Sequence, residues 1–224
     1  MKSFKKYYLS LIVLTFVGSI LQGYKPIGPV ATKYKTFADK NRLFKEVGCQ
    51  YSNRLDIQYP KFSDIESEKY KQAQLAWQQY SKKYAQSVQK KHYAPMYLKW
   101  ISNAIGYGIF ANQFIKEGAF IGEYCGILRP VNNVHDNLDY AWYYTLDGPN
   151  NEKLVIDGKL YGNELRFINH HNDPNTMRID VFGKDGVFHV CYIASKNIAK
   201  DEQLTVSYGD GYFTSRNLEP LVVS

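Results

Sequence analysis

The chain has 224 residues, with 28 Lys and Arg against 21 Asp and Glu, and a formal net charge of +7. Its 45% hydrophobic and 22% charged residues exclude a disordered or collagen-like chain. Its three cysteines are isolated, which excludes a disulfide scaffold and argues against structural zinc. The net charge alone suggests a nucleic-acid partner. However, residues 1–100 hold 18 basic and 6 acidic side chains, whereas residues 101–224 hold 10 and 15, so each half needs its own explanation.

Residues 1–23 have the layout of a secretory signal. Lys2, Lys5 and Lys6 precede an uncharged, mostly apolar run over residues 7–21. That run is shorter than the roughly 20 residues that a membrane-spanning helix needs. We therefore expect a cleaved signal, and the alternatives are an uncleaved membrane anchor or a buried helix. We expect no membrane contact apart from this segment.

Residues 24–96 are predicted to be irregular at first and then to form a long helix. A short helix is expected over residues 37–47. Ser63 and Glu66 form a capping box, which predicts a helix over residues 64–91. Its apolar side chains recur at spacings of three and four and predict one face that packs against the rest of the protein. These side chains are Ala73, Trp77, Tyr80, Tyr84 and Val88.

Six lysines lie on the other faces of this predicted helix. Such a surface either binds nucleic acid or acidic lipid, or is simply solvated. We favour the solvated surface and expect no direct nucleic-acid binding, because the aromatic residues have core spacing rather than that of a base-stacking platform. The lysines are Lys69, Lys71, Lys82, Lys83, Lys90 and Lys91.

From residue 97 onward, short apolar runs alternate with glycine and turn signals, which predicts a mainly β region. One short helical stretch is expected at residues 161–169. The predicted architecture is several small sheets preceded by an α-helical N-terminal region. The expected strands are residues 97–101, 108–111, 119–124, 142–146, 153–156, 177–182, 187–194 and 203–208.

Four patterns in this half combine glycine with polar and aromatic residues. GYG at residues 106–108 lacks the GxGxxG extension of a dinucleotide fold, and neither a serine-hydrolase elbow nor a phosphate-binding loop occurs. His170 and His171 are adjacent, so their side chains diverge, and we expect no metal. The other patterns are EYCG at 123–126, GN at 162–163 followed by RFINHHNDPN at 166–175, and EQLTVSYG at 202–209.

In their order and spacing, these patterns resemble the SET domain of protein-lysine methyltransferases, over residues 97–213. The resemblance implies the family's β-fold of several small sheets with a C-terminal pseudoknot, followed here by a tail at residues 214–224. It implies methyl transfer from S-adenosyl-L-methionine to lysine side chains of a protein substrate, with histone-like and host proteins among the candidates. We expect a monomer.

The resemblance also implies site residues. Tyr208 corresponds to the catalytic tyrosine, and Tyr124 corresponds to the tyrosine that lines the lysine channel. Closure of this channel is left open between Tyr212, Phe213 and the N-terminal helix. The implied cofactor-binding residues are Gly106, Tyr107, Gly108, Trp142, Asn169, His170 and Tyr208.

Three departures from the family pattern leave a second function open. His171 and Asn172 replace a Ser-Cys pair, and Ser207 replaces an Asp or Asn. The alternative to an enzyme is therefore a catalytically silent module that binds a basic peptide or partner. The export signal suggests a bacterial protein delivered into a host cell, where the cofactor and basic substrates are available. Alternatively, the segment anchors the domain to a membrane and leaves it in the cytoplasm.

Overall fold

The computed structural model describes residues 37–57, 68–131, 138–214 and 216. The predicted signal at residues 1–23, the capping box at residues 63–66 and most of the tail lie outside these residues. The described protein consists mostly of strands in several small sheets with few helices, which confirms the predicted fold class. Within these ranges, no helix is long and apolar enough to cross a membrane.

The N-terminal part is helical, but the prediction of one continuous helix over residues 64–91 is wrong. A turn at Trp77 divides the segment. The Trp77 carbonyl accepts two hydrogen bonds there, from the Ser81 amide and from the Ser81 hydroxyl, each at 2.9 Å. A serine hydroxyl that bonds back to the carbonyl four residues earlier bends a helix. The helices are α1 Phe37–Glu46, α2 Glu68–Ala76 and α3 Gln78–Gln89.

Helix α3 packs on the strands through the predicted apolar face. Tyr84 and Val88 are buried in a cluster with Phe120 and Ile179. The Tyr84 hydroxyl also donates to the Gly118 carbonyl at 2.7 Å, so its polar end is paired as well as its ring. The helical region is therefore a support fixed to the sheets.

Each predicted strand overlaps an observed one, with small shifts at the ends. Short strands of two to four residues that the sequence analysis missed have too few alternating side chains to be recognised. The strands are β1 Gln50–Tyr51, β2 Asp56–Ile57, β3 Met96–Ser102, β4 Gly106–Ala111, β5 Phe120–Glu123, β6 Ile127–Pro130, β7 Ala141–Tyr143, β8 Leu154–Asp157, β9 Tyr161–Gly162, β10 Asn169–His170, β11 Thr176–Phe182, β12 Phe188–Ala194 and β13 Gln203–Val206.

The order of the strands brings distant motifs together. One sheet has the order β10-β13-β4-β3, and the others have the orders β11-β12-β5, β2-β6-β8-β7 and β1-β9. In the first sheet, β10 runs parallel to β13, with Asn169 opposite Thr205 and His170 opposite Val206. Strand β13 pairs with β4 on its other side. Three of the four sequence motifs therefore share this sheet.

The helix predicted at residues 161–169 is a 3-10 turn over Glu164–Phe167, between β9 and β10. Its shortness follows from its ends: the Asn163 side chain accepts from the Leu165 amide, and Ile168 is already extended. A further short helix, α4, covers Asp210–Thr214 directly after β13 and was not predicted.

Candidate active site

The GYG motif forms the start of β4 and combines an open turn with a tight packing position. Gly106 has φ +80° and nothing within 4 Å of the place where a Cβ would lie. At Gly108, by contrast, a Cβ would lie 2.6 Å from Ile101 Cδ1 and 3.0 Å from Asn169 Nδ2. The Tyr107 ring is buried in the core, whereas its carbonyl accepts from Asn169 Nδ2 at 3.2 Å. At this turn, the open space therefore borders the backbone of Gly106, and the Tyr107 side chain points into the core.

Tyr208 follows β13 and lies beside the Asn-His pair of β10. Its hydroxyl donates to the Ile168 carbonyl at 2.6 Å. Its backbone N–H donates to His170 Nδ1 at 3.1 Å, and the other ring nitrogen, Nε2, lies 3.0 Å from Asn172 Oδ1. Burial raises the pKa of Tyr208 above its ordinary value, so the phenol is neutral at physiological pH.

Tyr124 leaves β5 and is buried. Its hydroxyl donates to the Tyr140 carbonyl at 2.5 Å, and its oxygen would lie 2.7 Å from a Cβ placed at Gly158. Burial also raises the pKa of this tyrosine, so it too is a neutral phenol. A side chain at position 158 would displace the hydroxyl, which explains a glycine there.

Aromatic rings connect these two tyrosines. The Trp142 ring centroid lies 6.2 Å from that of Tyr208 and 6.3 Å from that of Tyr192, and the Tyr192 centroid lies 6.4 Å from that of Tyr124. The four rings form one continuous cluster, called here the aromatic cluster. Of these four residues, only Tyr192 was not predicted as a site residue.

Helix α4 covers the other side of Tyr208. The ring centroids of Tyr212 and Phe213 lie 4.7 Å and 6.3 Å from that of Tyr208. Arg216 stacks on the Tyr212 ring at 4.0 Å and places its Nε 3.2 Å from Asp139 Oδ1. Among the candidates for closing the site, Tyr212 and Phe213 therefore contact Tyr208.

A family model described as the SET domain matches residues 106–209, which is the segment that holds these motifs. Residues 106–209 are a SET domain. The resemblance seen in the sequence is thereby confirmed.

The SET domain is similar to parts of larger curated proteins. Histone-lysine N-methyltransferase EHMT1 of Homo sapiens is 32% identical over 112 residues, which cover 49% of this chain and 9% of that protein. Histone-lysine N-methyltransferase SUVR3 of Arabidopsis thaliana is 31% identical over 123 residues, which cover 47% of this chain and 35% of that protein. The chain thus corresponds to well under half of either relative.

The fold also matches a crystal structure of ATXR5 in complex with histone H3.1. The TM-score is 0.57 at 20% sequence identity, and the match covers 80% of this chain and 92% of that chain. The coverage extends beyond residues 106–209, so the likeness includes elements outside the part that the SET family model matches.

Two polar side chains that were not predicted as site residues contact Glu123 and Cys125, the neighbours of Tyr124 in the SET domain. Asn163 Nδ2 donates to the Glu123 carbonyl at 2.7 Å, and Asn163 Oδ1 accepts from the Cys125 amide at 3.5 Å. His189 Nδ1 lies 2.7 Å from Glu123 Oε1. The GN pattern gave a signal for Asn163, whereas His189 stands in no pattern.

The departures from the family motif lie on loops outside the aromatic cluster. His171 Nδ1 accepts from the Asp173 amide at 3.0 Å. The Ser207 side chain is exposed, and its hydroxyl accepts from the Gly209 amide at 3.2 Å. The third departure, Asn172, places its Oδ1 3.0 Å from His170 Nε2. Tyr124, Trp142 and Tyr208 stay connected through the aromatic cluster.

Proposed function

We propose that the chain is a protein-lysine methyltransferase that transfers a methyl group from S-adenosylmethionine to the ε-amine of a lysine in a basic, histone-like protein. The connection of Tyr124, Trp142 and Tyr208 through one aromatic cluster is the observation that carries this proposal. The curated relatives are named histone-lysine N-methyltransferases, which supports the same reaction.

The residues at the end of the first sheet fit the cofactor. The space beside Gly106 is open, and a Cβ there would narrow it. Gly106, Tyr107 and Gly108 would hold the cofactor through their backbone, together with Asn169 and His170, and Trp142 and Tyr208 would complete the site. When bound, S-adenosylmethionine supplies an electrophilic methyl group on a sulfonium.

The aromatic cluster suits the amine that must react. A free lysine has a pKa of about 10.4, so it is mostly an ammonium at neutral pH and has no lone pair for attack. Transfer into a buried aromatic site disfavours the charged form. The Tyr208 proton is committed to the Ile168 carbonyl, so the phenol oxygen keeps its lone pairs as acceptors. Such oxygens orient the N–H groups of a neutral amine without acting as a strong base.

Charge favours a basic substrate. Residues 101–224 carry 10 basic and 15 acidic side chains. A surface with negative net charge concentrates cationic partners and raises their association rates. Lysine-rich tails of the histone kind meet this requirement.

The test is a transfer assay with labelled cofactor and mixed core histones, followed by mass-spectrometric mapping of the modified lysines. Transfer by the wild-type chain and loss of about 100-fold in Tyr208→Phe are expected, because that variant removes an orienting oxygen at the reaction centre. Tyr80→Phe, on the outer helix α3, is the matched control. Tight binding of a lysine peptide without transfer would instead identify a silent binding module.

The composition of residues 1–23 supports a further proposal, that the chain is exported through this segment into a compartment that contains basic substrates. Sequencing the N-terminus of the mature protein tests it. A start near residue 24 is expected, whereas a retained Met1 contradicts cleavage and favours the anchor.

A further inference from the structure

Tyr192, in the centre of β12, carries a hydroxyl whose position needs an explanation. The side chain is fully buried. Its oxygen has no hydrogen-bond partner among the residues that the structure describes. A buried hydroxyl without a partner has lost its bonds to water and gained nothing in return, so it destabilises the free protein. Such groups are rare in native proteins, and their explanations include local strain, a catalytic role and a bound water or ion.

The surroundings of Tyr192 place this hydroxyl in the aromatic cluster. Its ring meets Tyr124 and Trp142 at centroid distances of 6.4 Å and 6.3 Å, and Arg178 is its partner across the strand pair. Burial raises the pKa of Tyr192, and the Tyr124 and Tyr208 phenols raise it further. The Arg178 guanidinium and a polar contact with the Trp142 indole lower that pKa, but the indole does not reach the Tyr192 oxygen with the distance and angle of a hydrogen bond.

The three phenols of the cluster differ in what their protons do. Tyr124 donates to the Tyr140 carbonyl, and Tyr208 donates to the Ile168 carbonyl. Within the described part of the chain, the Tyr192 hydroxyl alone of these three has neither a donor nor an acceptor bound. It is therefore the one of these three hydroxyls whose proton, as well as its lone pairs, is still available to a ligand.

We propose that Tyr192 is a substrate-binding residue whose hydroxyl hydrogen bonds to the ε-amine of the target lysine, directly or through one water. This rests on the proposed function, since it assigns a partner to the amine in the same site. A neutral amine brings N–H donors into a space from which bulk water is excluded, and each donor there needs an acceptor. The Tyr192 oxygen offers two lone pairs. The unpaired hydroxyl destabilises the free protein, and the hydrogen bond to the bound amine offsets that loss.

The ring and the hydroxyl of Tyr192 can be separated by one substitution. Tyr192→Phe keeps the packing against Tyr124 and Trp142 and removes only the oxygen. If the hydroxyl serves the substrate, the melting temperature of the variant is equal to or above that of the wild type, because an unpaired polar group has been removed. At the same time, kcat/KM for a lysine peptide falls about 10-fold, and the affinity for S-adenosylmethionine is unchanged.

The control is Tyr84→Phe, which removes a buried hydroxyl that is bonded to the Gly118 carbonyl and lies on α3, outside the cluster. This variant should melt at a lower temperature and keep the wild-type kcat/KM. The two substitutions are therefore expected to change stability and activity in opposite ways.

Three outcomes overturn the inference. A Tyr192→Phe variant with the wild-type kcat/KM shows that the oxygen does not touch the substrate. A loss of melting temperature equal to that of Tyr84→Phe shows that the hydroxyl already has a partner in the free protein, whatever the activity. A wild-type chain that transfers no methyl group contradicts the proposed function and this inference together, whereas the first two outcomes leave the proposed function in place.

Discussion

Glu123 and Lys91 form an ion pair in which Oε2 and Nζ are 2.7 Å apart, and it joins the chain just beyond α3 to the strand that leads into Tyr124. The Glu123 side chain is 2% exposed and that of Lys91 is 32% exposed. A carboxylate this deeply buried depends on its partners, because it cannot regain water when one is lost. The helical N-terminal region is therefore connected through a charge pair to the residue before Tyr124.

Lys91→Met is expected to lower the free energy of unfolding by about 2 kcal/mol, the range of a hydrogen bond to a charged group, because it removes the ammonium but keeps most of the packing. Urea unfolding measures the change. Lys90→Met, at the neighbouring exposed position, should have little effect. Equal values for the two variants would show that the pair contributes nothing to stability.

The pH dependence of stability is expected to follow His189. Its burial lowers the pKa, but hydrogen bonds to Asp185 and Glu123 overcome this and raise it from 6.5 to about 9. The folded state therefore binds a proton more tightly than the unfolded state. Its contribution is fully present below pH 6.5 and is lost as the pH rises through 9, by at most about 3 kcal/mol.

The measurement is urea unfolding of the wild type and His189→Gln between pH 6 and pH 10. The difference in free energy between them should shrink across this interval, since groups common to both proteins cancel. A difference that is constant with pH would mean that His189 is neutral in the folded protein.

How far the sequence predicts this site depends on how local its signals are. Asn169, His170 and Tyr208 lie in contiguous motifs whose residue order specifies a role, and the structure brings them together. Tyr192 is one of 20 tyrosines and has no local pattern, so its place in the aromatic cluster depends on strand pairing. His189 likewise meets Glu123 across 66 residues of chain.

The helical region also shows which features can be predicted from local sequence and which cannot. Hydrophobic periodicity predicted the buried face of α3, including Tyr84 and Val88. It did not predict the turn at Trp77, because a serine four residues after a carbonyl occurs in straight helices as well as in bent ones. A pattern of burial is local information, whereas a choice between two hydrogen-bond geometries depends on packing.

Gly108→Ala is expected to weaken binding of S-adenosylmethionine and to destabilise the fold by about 1–3 kcal/mol, as overpacking does. The new methyl group would lie 2.6 Å from Ile101 Cδ1 and 2.8 Å from Gln203 Nε2. Adding Ile101→Val removes the first of these clashes and should restore part of the stability. Thermal unfolding and calorimetric titration with the cofactor measure both effects, and an unaffected single variant would contradict the tight packing.

Arg216→Ala is expected to loosen α4 from the site without unfolding the protein. Arg216 stacks on Tyr212 and pairs with Asp139, and Tyr212 in turn covers Tyr208. Because these contacts are partly exposed, their loss should weaken the attachment of α4 to the site by about 1 kcal/mol. We expect kcat/KM to fall roughly 5-fold, which is the same free energy expressed as a rate ratio, and the melting temperature to stay nearly unchanged because only α4 is loosened. Arg42→Ala removes a more exposed arginine that pairs with Glu46 on α1, far along the chain from Tyr208, and serves as the control. If both variants had the wild-type kcat/KM, α4 would cover Tyr208 without contributing to the reaction.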